Sequence, residues 1–243
     1  MRRSPFGGQT RLMPVPPQQA VAAYYRLRQA LGALGLMLPP VLILGTLFEG
    51  DPLPPALSDF IYPPFGGYFA GTMFSIGVFL ITYVGYGGDT GLLTDRRVST
   101  VAGLGAIGVA LFPNDTLDPC DPDLIGGVSI SGLLHVVGAG VFLISTAVFC
   151  FVLFRRGALS PSRAKQYRNT LYTVCGLVIV GCILGLAVYF VLLDTNARCA
   201  LRPLRPVLWL ETLTVLAFGL AWLVKGRGVR ALNDPGEDAP EPG

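Results

Sequence analysis

The sequence has few charged residues and a single histidine. Charged side chains make up 14% of its 243 residues, hydrophobic side chains make up 52%, and the mean hydropathy is +0.58. Soluble domains carry about 25% charged residues. So few charges cannot cover so much apolar surface in water, which excludes a soluble globular enzyme and a disordered protein. A multi-pass membrane protein remains.

Cysteine and histidine are also scarce. Five cysteines are an odd number and too few for a disulfide scaffold. A zinc site needs three or four ligands, usually histidine or cysteine, so we predict no metal site and no cofactor. The net charge is only +3, and the basic residues lie at the ends of apolar runs rather than on one face with aromatic side chains between them. We therefore expect no nucleic-acid partner.

Long apolar runs are abundant. An α-helix crosses a bilayer with about 20 mainly apolar residues, whereas the strands of a membrane barrel alternate apolar and polar residues. The continuous apolar runs of this chain therefore predict an all-α integral membrane bundle of six transmembrane helices. The predicted spans are residues 30–48, interrupted by Pro39 and Pro40, and residues 65–86, 98–112, 127–154, 171–193 and 207–224.

The basic residues orient this bundle through the positive-inside rule. If both termini are cytoplasmic, 15 of the 18 lysines and arginines lie on the cytoplasmic side, and most loop aspartates lie on the other. We expect a multi-pass protein of the cell membrane in three parts. These are a flexible cytoplasmic segment over residues 1–24, a six-helix transmembrane domain over 25–228 and a disordered cytoplasmic tail over 229–243.

Ionisable residues inside a membrane span are costly and are candidates for function. His135 lies about 12 Å, and Glu211 about 6 Å, below the outer ends of their spans at about 1.5 Å per residue. Asp59 lies just before the second span, and Ser131 shares a helix face with His135. We predict that these four residues form a ligand site at the outer mouth. The alternatives are a structural hydrogen bond for His135 and, for Glu211, an interfacial position or an ion pair with Arg202 or Arg205.

Three kinds of function fit such a site. The leading hypothesis is a non-enzymatic protein that binds a lipid or small amphiphile in the outer half of the bundle, or acts as a scaffold for a membrane partner. The first alternative is a proton-coupled transporter that uses His135 and Glu211. The second is an intramembrane hydrolase, but the sequence has no Gly-x-Ser-x-Gly elbow, and we assign no catalytic residue. Membrane lipids are the expected partners.

Two cysteines and several small residues predict contacts between segments. Cys120 and Cys199 fall in loops on the oxidising, non-cytoplasmic side, where they form either a disulfide or two free thiols. Small residues four positions apart let helices approach closely, within the bundle or in a homodimer. Such residues are Gly67 and Gly71, Gly181 and Gly185, and a ladder of Ala102, Ala106 and Ala110.

Several short motifs lie in the first four predicted spans and the segments beside them. They are SDF at 58–60, FAGT at 69–72, IGVFL at 76–80, VAGL at 101–104, ALFP at 110–113 and LH at 134–135. Together they resemble a family of uncharacterised bacterial multi-pass membrane proteins and, more loosely, the DRAM/Sfk-type six-span proteins linked to lipid regulation. The resemblance implies a topology rather than an activity.

Overall fold

The computed structural model describes residues 17–85, 91, 93–115, 120, 129–156 and 162–234, and within these ranges it contains helices and no strand. A 3₁₀ turn over Ser58–Ile61 precedes α2. π-Helical turns extend α4 through Phe149–Leu153 and α5 through Val188–Leu192. The α-helices are α1 (Pro17–Glu49), α2 (Gly66–Thr82), α3 (Asp95–Leu111), α4 (Ile130–Val148), α5 (Arg163–Ala187), α6 (Thr195–Leu201) and α7 (Pro206–Lys225).

Polar residues and a proline fix where the helices begin. The side chains of Thr94, Ser129, Ser162 and Asp194 each accept a hydrogen bond from a backbone N–H in the first turn of the helix that follows. Pro206 is the first residue of α7, a position whose N–H has no helical partner in any case. These signals explain why α3 to α7 start where they do.

The first helix differs from its prediction in two ways. Pro39 and Pro40 lie inside α1 without interrupting it, so the predicted interruption is wrong. The helix also begins at Pro17, well before residue 30. Of the predicted terminal parts, residues 1–16 and 235–243 lie outside the described residues.

Six of the helices form a closed ring. Helix α1 contacts α7 and α2, and the ring continues through α3, α4 and α5 back to α7. The α4–α5 contact is looser than the contacts of α3 with α2 and with α4. A chain of aromatic rings fills the centre, with neighbouring centroids between 5.0 and 6.3 Å apart. Its members are Phe142, Phe218, Trp222, Phe149 and Tyr83.

Glycines allow the close approach of α2 and α3. A Cβ atom on Gly77 would lie 2.8 Å from the carbonyl oxygen of Gly103, so a side chain there would force the helices apart. Gly67, Gly71 and Gly181 have open space where a Cβ atom would stand. The prediction that these three pack the bundle is therefore wrong, whereas the alanine ladder of α3 is buried as predicted.

The described helices indicate a membrane protein. Four helical segments are long and apolar enough to cross a bilayer, and α2 is a shorter apolar helix. Helix α3 has 17 residues and begins with three charged ones. The four long segments are Val21–Glu49, Ile130–Leu153, Arg163–Leu192 and Pro206–Lys225.

Candidate functional site

The predicted site residues lie at one end of the ring. The segment after α1 contacts the start of α7, where the N–H of Leu208 donates to the carbonyl of Pro55 at 3.0 Å. The same segment contacts the residues that follow α3, because the hydroxyl of Tyr62 donates to the carbonyl of Asn114. The described parts of these two connecting segments therefore meet at this end of the bundle.

Glu211 joins α7 to the 3₁₀ turn before α2. Its carboxylate accepts the backbone N–H of Ser58 at 2.9 Å on Oε2 and the hydroxyl of Ser58 at 3.3 Å on Oε1. The N–H groups at the start of a helical turn have no partner within it, so the carboxylate satisfies one of them. Glu211 is thus held by the protein rather than projected into lipid.

His135 joins α4 to the end of α3. The side chain is 4% exposed, and Nδ1 lies 2.7 Å from the carbonyl oxygen of Phe112. Because a carbonyl oxygen can only accept, Nδ1 carries the proton in this hydrogen bond. In the neutral ring Nε2 is then an acceptor. The structural hydrogen bond weighed as an alternative is present, and it leaves the second ring nitrogen for another partner.

His135 and Glu211 line the same cavity. It lies among α1, α2, α3, α4 and α7, and about 50 Å³ of it is open to water-sized molecules. At about 10–15 Å³ for each water, this space holds a few molecules. Apart from His135, Glu211, Ser58 and Thr214, the wall is apolar, with Leu38, Phe69, Met73, Phe142 and Leu143 among its residues.

Asp59 and Ser131 lie beside this cavity but do not line it. The carboxylate of Asp59 accepts the side-chain amide of Asn114 on Oδ1 and the N–H of Ala56 at 3.0 Å on Oδ2. Burial raises the pKa of Asp59, while these hydrogen bonds and the charge of His135 oppose the rise. The hydroxyl of Ser131 donates to a backbone carbonyl at 2.9 Å. Both residues thus hold the covering segments in place.

A disulfide joins Cys120 and Cys199 at the same end, with their Cα atoms 5.3 Å apart. It links the connection between α3 and α4 to α6. The remaining cysteines are buried thiols within helical segments. They are Cys150, Cys175 and Cys182.

The geometry limits the chemistry of the site. The hydroxyls of Ser58 and Ser131 donate to Glu211 and to a backbone carbonyl, and His135 bonds a carbonyl rather than a serine. Within the described ranges, no three side chains of His, Cys, Asp or Glu form a potential metal site. The arrangement is suited to holding a small polar group or a proton, and it does not form an activated nucleophile.

The opposite end of the ring holds a buried arginine that sequence reasoning missed. Arg28 is 0% exposed, and its guanidinium donates to the hydroxyl of Tyr83 at 2.8 Å. The guanidinium also lies 4.2 Å from the ring centroid of Tyr24. An arginine close to an apolar run is normally counted as a topology signal. Tyr24 lies one helical turn before Arg28, on the same face, and this pairing of an aromatic ring with a cation was the sequence signal that Arg28 points into the bundle.

A family model matches most of the chain. The DUF998 model, described as a protein of unknown function, matches residues 30–224, from within α1 almost to the end of α7. No curated protein and no solved structure matches the chain significantly. The match confirms the resemblance to an uncharacterised family, and it does not show the looser likeness to DRAM/Sfk-type proteins.

Proposed function

The chain belongs to the DUF998 family of proteins of unknown function, and for this membrane protein we propose six crossings with both termini in the cytoplasm. Helices α2 and α3 have 17 residues each and reach about 25 Å, close to the hydrocarbon thickness of about 30 Å. Both stand in the ring beside longer helices. An even number of crossings keeps the arginine-rich segments on one side, as the positive-inside rule requires.

We also propose that the outer half of this bundle binds a lipid or small amphiphile, with its polar end at His135 and Glu211. The observation that carries this proposal is that both side chains line one cavity whose wall is otherwise apolar except for Ser58 and Thr214. Apolar walls with a few convergent polar groups are typical of small-molecule sites. A carboxylate among apolar side chains favours a ligand that brings a compensating positive charge. An amine head therefore suits the site better than an acid.

The size of the cavity limits what enters it. The space for a few water molecules admits an ammonium group and excludes a phospholipid headgroup. The apolar chain of the ligand would then lie against the helices and the bilayer. The proposed ligand is accordingly an amphiphile with a small amine head.

A thermal-shift experiment on the full-length protein in detergent tests the binding. Dodecylamine and dodecanol have the same chain and differ in the head group. We expect dodecylamine to raise the Tm and dodecanol to leave it unchanged. A ligand present at about 100 times its Kd stabilises by about 2.7 kcal/mol. Glu211→Gln should abolish this effect because it removes the charge.

Glu49→Gln is the matched control, because Glu49 is an exposed carboxylate at the end of α1 on the same side. It should keep the full shift with dodecylamine. Equal shifts with the amine and the alcohol, or a full shift in Glu211→Gln, would contradict the proposal. A protein that only scaffolds a membrane partner would show no amine-dependent stabilisation in any variant.

Proton-coupled transport is the second candidate, favoured by the position of the shared cavity inside a closed ring of helices. The Nε2 atom of His135 can accept a proton, and Glu211 lines the same space. The test uses proteoliposomes with an entrapped pH-sensitive dye and an imposed pH gradient. Transport predicts proton entry that is lost in both His135→Ala and Glu211→Gln. Equal rates in the wild type and these variants would exclude it.

A further inference from the structure

Two lysines meet at one backbone oxygen at the arginine-rich end of the bundle. The ammonium group of Lys165 in α5 donates to the carbonyl of Phe154 at 3.1 Å, and that of Lys225 in α7 donates to the same oxygen at 3.2 Å. Lys165 also donates to the carbonyl of Arg156 at 3.3 Å. Two like charges around one neutral oxygen repel each other, and a bound anion would relieve that repulsion.

The surroundings of these lysines are strongly basic. Arg155, Arg156 and Arg163 are exposed and lie within ten residues of Lys165 in the chain. Two of the described acidic residues lie near this end: Asp234, which pairs with Arg168 at 3.2 Å, and the buried Asp95, whose charge acts on Lys225. An ammonium group has three N–H donors, and the two carbonyls take two of those of Lys165. One donor of this half-buried lysine is left for an anion.

An apolar groove lies on the outside of the ring, further along the helices from this end. It lies between α4 and α5, where the helices pack loosely, and encloses about 360 Å³, within the range of about 300–1,000 Å³ typical of ligand sites. Every residue that lines it is apolar. The lining includes Val148, Phe151, Val152, Val180, Ile183 and Leu184.

The groove and the lysine share one side of α5. Lys165 and Ile183 are 18 residues apart, which is five turns or about 27 Å along the axis, so they lie on one stripe of the helix, near its two ends, and an acyl chain would have to run along that stripe. On α4, Phe151 precedes Phe154 by less than one turn and rests on Gly176 of α5, where a Cβ atom would lie 2.7 Å from its ring. The groove thus begins about one turn below the carbonyl that holds Lys165.

We propose that the groove and Lys165 form a binding site for one anionic glycerophospholipid of the cytoplasmic leaflet. Its phosphate lies at Lys165, with Lys225 behind, and one acyl chain lies between α4 and α5. Charge complementarity selects this occupant, because an apolar helix would fill the groove and leave the lysine unused. Anionic lipids are concentrated in the cytoplasmic leaflet. The inference takes the orientation of the bundle from the proposed function and does not depend on the outer cavity.

Native mass spectrometry of the full-length protein in detergent tests this site. Phosphatidylglycerol, phosphatidylcholine with the same acyl chains, and inorganic phosphate are titrated separately. We expect phosphatidylglycerol to bind one molecule per chain at least about tenfold more tightly than phosphatidylcholine, because the positive choline group cancels the charge of the phosphate and is repelled by the two lysines. Inorganic phosphate alone should bind much more weakly, because it lacks the acyl chain.

Two variants separate the parts of the site. Lys165→Gln removes the charge and keeps an unbranched polar side chain, and Leu184→Trp fills the groove at a residue that is 60% exposed. Each should weaken phosphatidylglycerol binding about tenfold. The matched controls are Arg163→Gln, which removes a charge two residues earlier, and Val174→Trp, which adds the same bulk at a 53% exposed residue of α5 outside the groove. Both should bind like the wild type.

Several outcomes would overturn the proposal. Equal weakening by Lys165→Gln and Arg163→Gln would indicate general electrostatic attraction, and unchanged binding in Leu184→Trp would show that no chain occupies the groove. Tight binding of inorganic phosphate, unaffected by Leu184→Trp, would indicate a site for a free anion. Glu211→Gln should leave phosphatidylglycerol binding unchanged, so failure of this proposal is distinguishable from failure of the outer site.

Discussion

Ser58 donates both its backbone N–H and its hydroxyl to the carboxylate of Glu211, which stands 153 positions later in the chain. This contact ties the turn before α2 to α7 across the mouth of the cavity. A turn begins with N–H groups that have no helical acceptor, and Glu211 supplies one. The residue proposed to bind a ligand therefore also holds the mouth together.

We expect Glu211→Ala to lower the free energy of unfolding by about 1–3 kcal/mol, because the N–H of Ser58 loses its acceptor in a buried turn. Ser58→Ala should have a smaller effect, about 0.5–1.5 kcal/mol, because its N–H still reaches the carboxylate. Thermal unfolding in detergent measures both. The exposed Glu49→Ala should change stability by less than about 0.5 kcal/mol. Equal losses for Glu49→Ala and Glu211→Ala would contradict the structural role.

The second prediction concerns the pH dependence that Asp59 confers. Burial raises the pKa of Asp59 in the folded protein above the ordinary value of 3.8. Between that value and the raised pKa, the folded state binds more protons than the unfolded state. Stability therefore falls as the pH rises through this window, and the destabilisation is complete above the raised pKa. The Asp59→Asn variant should lack this part of the pH-dependent loss of stability.

Tm values measured in detergent from pH 4 to pH 8 test this prediction. The series starts at pH 4 because an aspartate in the unfolded chain titrates at about that pH. The exposed Asp51, replaced by Asn, is the control at the same end of the bundle. Because the charge of His135 acts on Asp59, the Asp59→Asn profile is also compared in the His135→Ala background. An unchanged slope in Asp59→Asn would show that another group titrates.

Hydropathy located the helices well because burial in lipid depends on local composition. Each of the six apolar runs corresponds to a helix of the ring, and the ends differ mainly where polar caps such as Ser162 extend a helix beyond its apolar part. The start of α1 at Pro17 was missed because Arg26, Arg28 and Gln29 interrupt the apolar pattern just before residue 30. The short helix α6 lacks an apolar run and gave no signal.

The candidate site was only partly accessible to sequence reasoning. Ionisable residues in apolar runs singled out His135 and Glu211, and depth along the helix predicted that they share one end. The bond from Glu211 to Ser58 and the role of Asn114 depend on loop packing between distant segments, which no local pattern encodes. Arg28 and Lys165 were counted as topology signals, because local sequence does not reveal whether a terminal cation faces water or the protein.

The third prediction is that Cys120 and Cys199 do not react with an impermeant maleimide on intact cells until a reductant is added. The disulfide consumes both thiols, and the other cysteines are buried. The double variant Cys120→Ser, Cys199→Ser should be less stable by about 2–4 kcal/mol. It should also remain unlabelled after reduction. Labelling of the wild type before reduction would contradict the disulfide. Labelling after reduction that occurs in lysed cells and not in intact cells would contradict its outer location.

The fourth prediction compares glycines that differ in their surroundings. Gly77→Ala should destabilise the protein by about 1–3 kcal/mol, because its Cβ would stand 2.8 Å from the carbonyl oxygen of Gly103 in the tightly packed α2–α3 pair. Gly71→Ala, on the same helix, meets open space. It should be neutral or stabilising by up to about 1 kcal/mol, because alanine is the better helix former. Thermal unfolding of the two variants tests the contrast. A large loss of stability in Gly71→Ala would mean that another molecule, for example a second copy of the chain, covers this face of α2. Dimerisation would then again be the expected role of Gly67 and Gly71.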